Sequence, residues 1–367
     1  MVRFAIVGDP HIAVPHTIGD PNKRVHLVEV SIPALEQVFD RLETLDIDFL
    51  LLPGDLTQHG EPDNHRWLSR RLEKLPFPVC VVPGNHDIPV LNADDRSIAA
   101  ADFSSYYRNF GYDNSHTLYY TREIVPGIQI IGLNSNQFDA NGKQLGRLDD
   151  EQLHWLETVL GELGDKFAIV LIHHNTIEHL PGQSQHSLGR RYMLDNAKTL
   201  LQLLRNAGVR LICTGHLHVQ DIVCDRDIWE ITSGSLVSYP HPYRILDLHR
   251  DRAGKVALSI ETERVEAVET QPNLSHFSRE WLAKKSPPFM RRLLTEPPVN
   301  LPADKAEQFI DDLRYFWADI SRGDAQFSFP HFPPQVRQYF ESFSAVEAID
   351  NCVTLQLSVD RPYIADK

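Results

Sequence analysis

Cysteine is scarce in this 367-residue chain. Its 4 cysteines, Cys80, Cys213, Cys224 and Cys352, are far apart and form no Cys-x-x-Cys pair, which excludes a disulfide scaffold. Cys80 and Cys213 fall inside apolar runs and read as buried thiols. Long apolar runs are missing too, since none approaches the roughly 20 residues that span a bilayer. Met1-Val2-Arg3 opens onto the short run Phe4-Ala5-Ile6-Val7, unlike an export signal. Positive charge is in short supply. Lys and Arg total 36 against 50 Asp and Glu, a formal net charge of -14, which argues against holding long nucleic acid by phosphate neutralisation. There is no internal repeat and no low-complexity tract. These absences point to a cytoplasmic, reducing setting with no membrane and no long nucleic acid as partner. What remains is 42% hydrophobic, enough for one large domain and a smaller appendage.

Against that background, five short polar segments stand out: Asp9-Pro10-His11, Gly54-Asp55, Gly84-Asn85-His86-Asp87, His173-His174 and Gly215-His216-Leu217-His218. Each follows an apolar run: Phe4 to Val7, Phe49 to Leu52, Val79 to Val82, Ala168 to Ile172 and Val209 to Cys213. Strand-like runs that each end in a turn with metal-ligand side chains are the pattern of an α/β fold with functional loops at strand ends.

Helical spacing alternates with these runs to about residue 220. Ser31 to Leu45, Asp149 to Leu160 and Ala197 to Leu204 all carry apolar residues at helical intervals. Beyond His218 the texture becomes consecutive strands, with Tyr243 to Leu248 and Val256 to Ile260 joined by the hairpin-type turn Asp251-Arg252-Ala253-Gly254. This order predicts a four-layer α/β/β/α sandwich over residues 1–268. Prolines punctuate the rest. Residues 269–367 read as a mostly helical accessory region, with one amphipathic helix over Ala303 to Ile320 and another ending near Ser344. That region is expected to offer a partner surface, cover an active-site mouth or build a homo-oligomer interface.

The ordered Asp, Asn and His supply ligands for two cations held about 3.5–4 Å apart by a shared carboxylate. Asp9, His11, Asp55 and His218 would hold one, and Asp55, Asn85, His173 and His216 the other. A hydroxide between the ions would attack a phosphoryl group, and His86 would donate a proton to the departing oxygen or hold a phosphoryl oxygen. His174 is the fallback ligand. His174, Asn175, Arg190 and Arg191 are candidate substrate contacts, and His179 and His186 lie in a segment that could border the substrate. Mixed N and O ligands suit first-row ions, Mn, Fe or Zn among them.

These blocks resemble the calcineurin-like metallophosphoesterase superfamily, whose pattern is Asp-x-His, Gly-Asp, Gly-Asn-His, His and Gly-His-x-His. The likeness covers about residues 1–265. Gly54-Asp55-Leu56-Thr57-Gln58-His59-Gly60 and Gly84-Asn85-His86-Asp87 are similar to the class III cyclic nucleotide phosphodiesterase group, which includes the glycerophosphodiesterases. The resemblance implies the sandwich, the ligand assignment above and a pair of first-row ions. Members that act on phosphoproteins carry an Arg shortly after the bridging Asp; Leu56 to Gly60 has none. Purple acid phosphatases carry a ligand Tyr where Gln58 stands. Many relatives place a carboxylate at the Gln58 position to orient the catalytic histidine, a bond an amide can also accept. A phosphomonoester is close to a dianion that an Arg would offset, so its absence favours a phosphodiester, cyclic nucleotide or small organic. The alternatives are a phosphomonoesterase or nucleotidase, and a non-catalytic metal-bound scaffold.

Overall fold

The computed structural model describes residues 1–113 and 116–357. Phe49–Leu52 is buried at every residue, as expected of a strand with parallel neighbours and both faces covered. Its sheet runs Cys352–Gln356, Val256–Arg264, Pro242–Arg250, Val2–Ile6, Phe49–Leu52, Val79–Val81. In register, Ala5 lies opposite Leu50 and Leu51 opposite Cys80. The second sheet runs Asp221–Asp225, Ile228–Thr232, Leu211–Thr214, Phe167–Leu171, Ile128–Gly132, Tyr120–Val125. Phe4, Ile6 and Leu51 from the first sheet join Ile130, Ile169 and Leu171 from the second in one core, with the Phe4 and Phe49 rings stacked at 4.8 Å.

Helix Ser31–Glu43 buries Leu35, Val38, Phe39 and Leu42, the positions its spacing marked. Asp150–Gly161 and Ala197–Asn206 cover the outer face of the second sheet through Leu156, Leu160, Leu200 and Leu204. Each fully buried Leu of this kind stabilises by roughly 1.5–3 kcal/mol. The expected sandwich is therefore present, and the turn Asp251 to Gly254 connects its hairpin, with Gly254 at φ 81°.

Residues beyond 270 form helices Leu274–Lys285, Pro287–Thr295, Phe316–Arg322 and Pro334–Glu341. One expectation needs correcting. Ala303 to Ile320 is not a single helix: Ala303–Ala306 tightens into Glu307–Phe309, turns, and restarts at Phe316. Phe309, Ile310, Leu313, Phe316 and Ile320 still pack together, around Phe332 and Phe340, so the periodicity named the apolar face but not the break in the backbone. The region is mostly helical, as expected, and among the described residues ends in a strand. Cys352–Gln356 returns to pair with Val256–Arg264 and becomes the edge of the first sheet, sharing that sheet with residues 1–268. Among the described residues, no helix is long and apolar enough to cross a membrane.

Candidate metal centre

All five polar segments follow strands at the carboxyl edge of the two sheets: three after Val2–Ile6, Phe49–Leu52 and Val79–Val81, two after Phe167–Leu171 and Leu211–Thr214. The backbone there is unusual. Asp9, His11, Asp55, His216 and His218 all have positive φ, between 41° and 68°. Each such residue costs about 1–2 kcal/mol, and it persists only where surrounding bonds over-determine it. Those bonds are visible. His11 N–H donates to the Asp55 carbonyl at 2.9 Å, and His216 N–H to Asp9 Oδ1 at 3.0 Å. Asp87 accepts the N–H groups of Leu56, Thr57 and Gly84 at 2.8–3.0 Å, tying the Asp55 turn to the Asn85 turn. Gly84 and Gly215 are needed for clearance, because a Cβ would collide with the Asp55 carboxylate at one and with the Asp9 carboxylate at the other.

The result is two groups of ligand-type atoms sharing Asp55. Asp9, His11, Asp55 and His218 make one; Asp55, His173 and His216 make the other, all within 4.8 Å inside each group. His11 Nε2 lies 3.6 Å from Asp55 Oδ2, His218 Nε2 3.5 Å from Asp9 Oδ1, and the two imidazole nitrogens 3.4 Å apart. Asn85 Oδ1 sits 3.1 Å from His173 Nε2, which is 3.4 Å from Asp55 Oδ1. His173 Nδ1 is bonded to the Pro53 carbonyl at 2.8 Å, which turns Nε2 toward Asp55 and Asn85, the usual way a ligand imidazole is oriented.

Electrostatics fit a cation. Burial and the neighbouring histidines hold His11, His26 and His216 well below the ordinary imidazole range, so their nitrogens present lone pairs. His173 is the exception: burial opposes its charge, yet Asp55 and Asp9 raise it to about 9. Asp55 is likewise held well below the usual carboxylate range despite burial, chiefly by His173 and His86. Among the described residues, His11 Nδ1 is buried with no hydrogen-bond partner. Converging lone pairs beside two carboxylates, largely out of solvent, make a donor set that could hold a metal ion.

His86 lies beside this set, its ring 4.7 Å from His11 and its N–H on Asp55 Oδ1 at 2.8 Å. The orienting partner of His86 is not the Gln58 amide, as the sequence suggested, but the Gln58 backbone carbonyl, 2.6 Å from Nδ1. His174 bonds Ser135 Oγ through Nδ1 at 2.8 Å and keeps its ring 4.4 Å from His216, lining the same cavity. Arg190 and Arg191 also line it, and the Arg191 guanidinium stacks over Tyr192 at 4.6 Å. Asn175 is not among the residues lining this cavity. It is fully buried, with its amide bonded to Thr214 Oγ1, Thr232 Oγ1 and Gln183, because its side chain points into the gap between strands. His179 is structural in the same way, clamped between Asp221 and Glu230. His186 does reach the cavity.

Sequence reasoning missed His26. Its ring sits 4.2 Å from His11 and 4.7 Å from His218, and its nitrogen falls within reach of the first ligand group. No motif announces it: it follows a loop, and only the return of residues 15–26 across the site brings it in. Leu217, between the two last ligands, is 1% exposed and anchors their turn in the apolar cluster of Met290, Leu293 and Leu294.

Comparison with known proteins agrees with this geometry. The family model of the calcineurin-like phosphoesterases matches residues 2–220, which include every ligand-type residue above. A probable glycerophosphodiester phosphodiesterase from Arcobacter nitrofigilis is 31% identical over 208 residues, 56% of this chain and 67% of that protein. A probable cyclic nucleotide phosphodiesterase from a Synechococcus strain is 29% identical over 205 residues, 55% of this chain and 70% of that protein. The crystal structure of a dimetal phosphatase from Danio rerio shares the fold at TM-score 0.52 and 16% identity, over 72% of this chain and 96% of its own. The chain belongs to the calcineurin-like phosphoesterases, metal-dependent hydrolases of phosphoric esters.

Proposed function

We propose that the protein is a dinuclear metal-dependent phosphodiesterase. The observation that carries this reading is the pair of ligand groups meeting at Asp55 on the floor of one cavity. First-row ions held there would supply Lewis acidity and a solvent molecule acidic enough to attack phosphorus near neutral pH. Asp9, His11 and His218 would hold one ion, Asn85, His173 and His216 the other, and Asp55 both.

The chain's own residues do the rest. Main-chain bonds fix Asp55 and Asp9, so little rearrangement is needed when substrate arrives. His86 Nδ1 is committed to the Gln58 carbonyl, which leaves Nε2 as the nitrogen able to meet a phosphoryl or leaving-group oxygen. A diester is favoured over a monoester by the lack of an Arg beside Asp55 and by the names of the relatives, glycerophosphodiester and cyclic nucleotide phosphodiesterases. Arg190 and Arg191 at the cavity are the observation in favour of the monoesterase reading.

The test is hydrolysis of bis(p-nitrophenyl) phosphate and p-nitrophenyl phosphate after reconstitution with Mn, Fe or Zn. The diester is expected to turn over faster, and Asn85→Ala and His216→Ala are each expected to abolish turnover with the circular dichroism unchanged. Full activity in both variants would overturn the assignment.

A further inference from the structure

The cavity continues well past the ligand groups. Its volume is about 770 Å³. Sites of roughly 300–1,000 Å³ enclose most of a drug-sized ligand, so a phosphoryl group with a small polar arm leaves most of this one unfilled. Its far wall comes from the C-terminal region: Leu282, Phe289, Met290, Leu293, Trp317 and Phe343 line it. Phe289 is 36% exposed, while Met290 and Leu293 beside it are buried. A large aromatic side chain therefore stands uncovered within the substrate cavity itself.

Three polar side chains on that wall already make hydrogen bonds. Ser286 Oγ is bonded to the carbonyls of Ala283 and Arg314 at 3.0 and 2.9 Å, and Ser321 Oγ donates to the Trp317 carbonyl at 2.8 Å. Lys285 Nζ donates to the carbonyls of Pro21 and Asn22, both at 3.1 Å. A nucleobase would be recognised through free donors and acceptors facing its edge. The two hydroxyl hydrogens here are already taken, and the wall chiefly offers apolar area, which rewards a group that needs no hydrogen bonds.

We infer that the substrate is a phosphodiester bearing an aliphatic chain, with its phosphoryl group at the ligand groups and the chain against the C-terminal wall. This deepens the phosphodiesterase reading and rests on it. Hydrolysis consumes one water: its oxygen bonds to phosphorus, one P–O ester bond breaks, and the released alkoxide takes a proton, leaving a phosphomonoester and an alcohol. The C-terminal region is then the element that sets specificity.

The experiment uses the full chain loaded with Mn and a series of p-nitrophenyl phosphodiesters whose second ester is methyl, butyl or octyl, kept as monomers, with 3′,5′-cyclic AMP as competitor substrate. kcat/KM is expected to rise at least about 30-fold from methyl to octyl, a modest share of the full transfer of seven methylenes. Phe289→Ala and Trp317→Ala are each expected to reduce the octyl-to-methyl ratio about 5-fold; Phe289 is exposed enough that its truncation leaves the fold intact. A flat series with measurable turnover, or cyclic AMP outpacing the octyl ester, overturns the aliphatic substrate and leaves the phosphodiesterase standing. Failure to cleave any diester overturns both.

Discussion

Raising the pH through 9 should weaken this protein in part by stripping a buried proton from His179. Burial works against a charged ring there, but hydrogen bonds to Asp221 and Glu230 outweigh it and raise the group from 6.5 to about 9. Nδ1 lies 2.6 Å from Asp221 Oδ2 and Nε2 3.0 Å from Glu230 Oε1. Because the folded protein holds this proton more tightly than the unfolded chain, the stabilisation is complete below about pH 6.5 and is lost as pH rises through about 9. A span of about 2.5 units corresponds to about 3 kcal/mol. The pair also has a functional place. Glu230 accepts the N–H groups of Thr176 and Ile177 and the Thr214 hydroxyl, so it joins the loop after His173 to the end of the strand before His216.

The assay is urea unfolding from pH 6 to 10 in the presence of chelator, for the wild type and for His179→Gln. The wild type should lose about 3 kcal/mol more than the variant over that range. Near pH 6 the variant should be the weaker by a similar amount, since a buried carboxylate loses its partner. Equal slopes for the two proteins would show that His179 is neutral in the fold and refute the reasoning.

Three further outcomes are expected. Gly84→Ala should deplete bound metal in elemental analysis and lower turnover by at least about 100-fold, because its new methyl group displaces the Asp55 carboxylate. Leu217→Ala should cost about 2–5 kcal/mol in urea unfolding. It should also reduce metal affinity measured by titration calorimetry, since Leu217 secures the turn that carries His216 and His218. Dialysis against chelator should abolish phosphodiester hydrolysis, and added Mn should restore it, while the far-ultraviolet circular dichroism stays constant; activity that survives exhaustive chelation would count against metal-assisted hydrolysis.

Much of the site was legible because its signals are local. A run such as Phe49 to Leu52 followed by Gly54-Asp55 declares both a buried strand and the polar turn at its end. The helix face of Ser31–Glu43 was equally plain, since burial follows a 3.6-residue period. Less was legible beyond residue 270. The apolar positions from Phe309 to Ile320 read as one helix although the backbone breaks between them, because periodicity reports which residues are buried and not the path that buries them.

By itself the sequence determined the two-sheet class, the strand ends and the identity of the ligand-type residues, all properties of segments a few residues long. Tertiary structure decided which of the many histidines converge. It brought His26 beside His11, took Asn175 and His179 away into the packed interior, and gave the orientation of His86 to a backbone carbonyl. It also folded the C-terminal helices over the ligand groups, making the far wall of their cavity. Those outcomes depend on contacts between residues tens to hundreds of positions apart, fixed by the packing of whole elements, which no local pattern encodes.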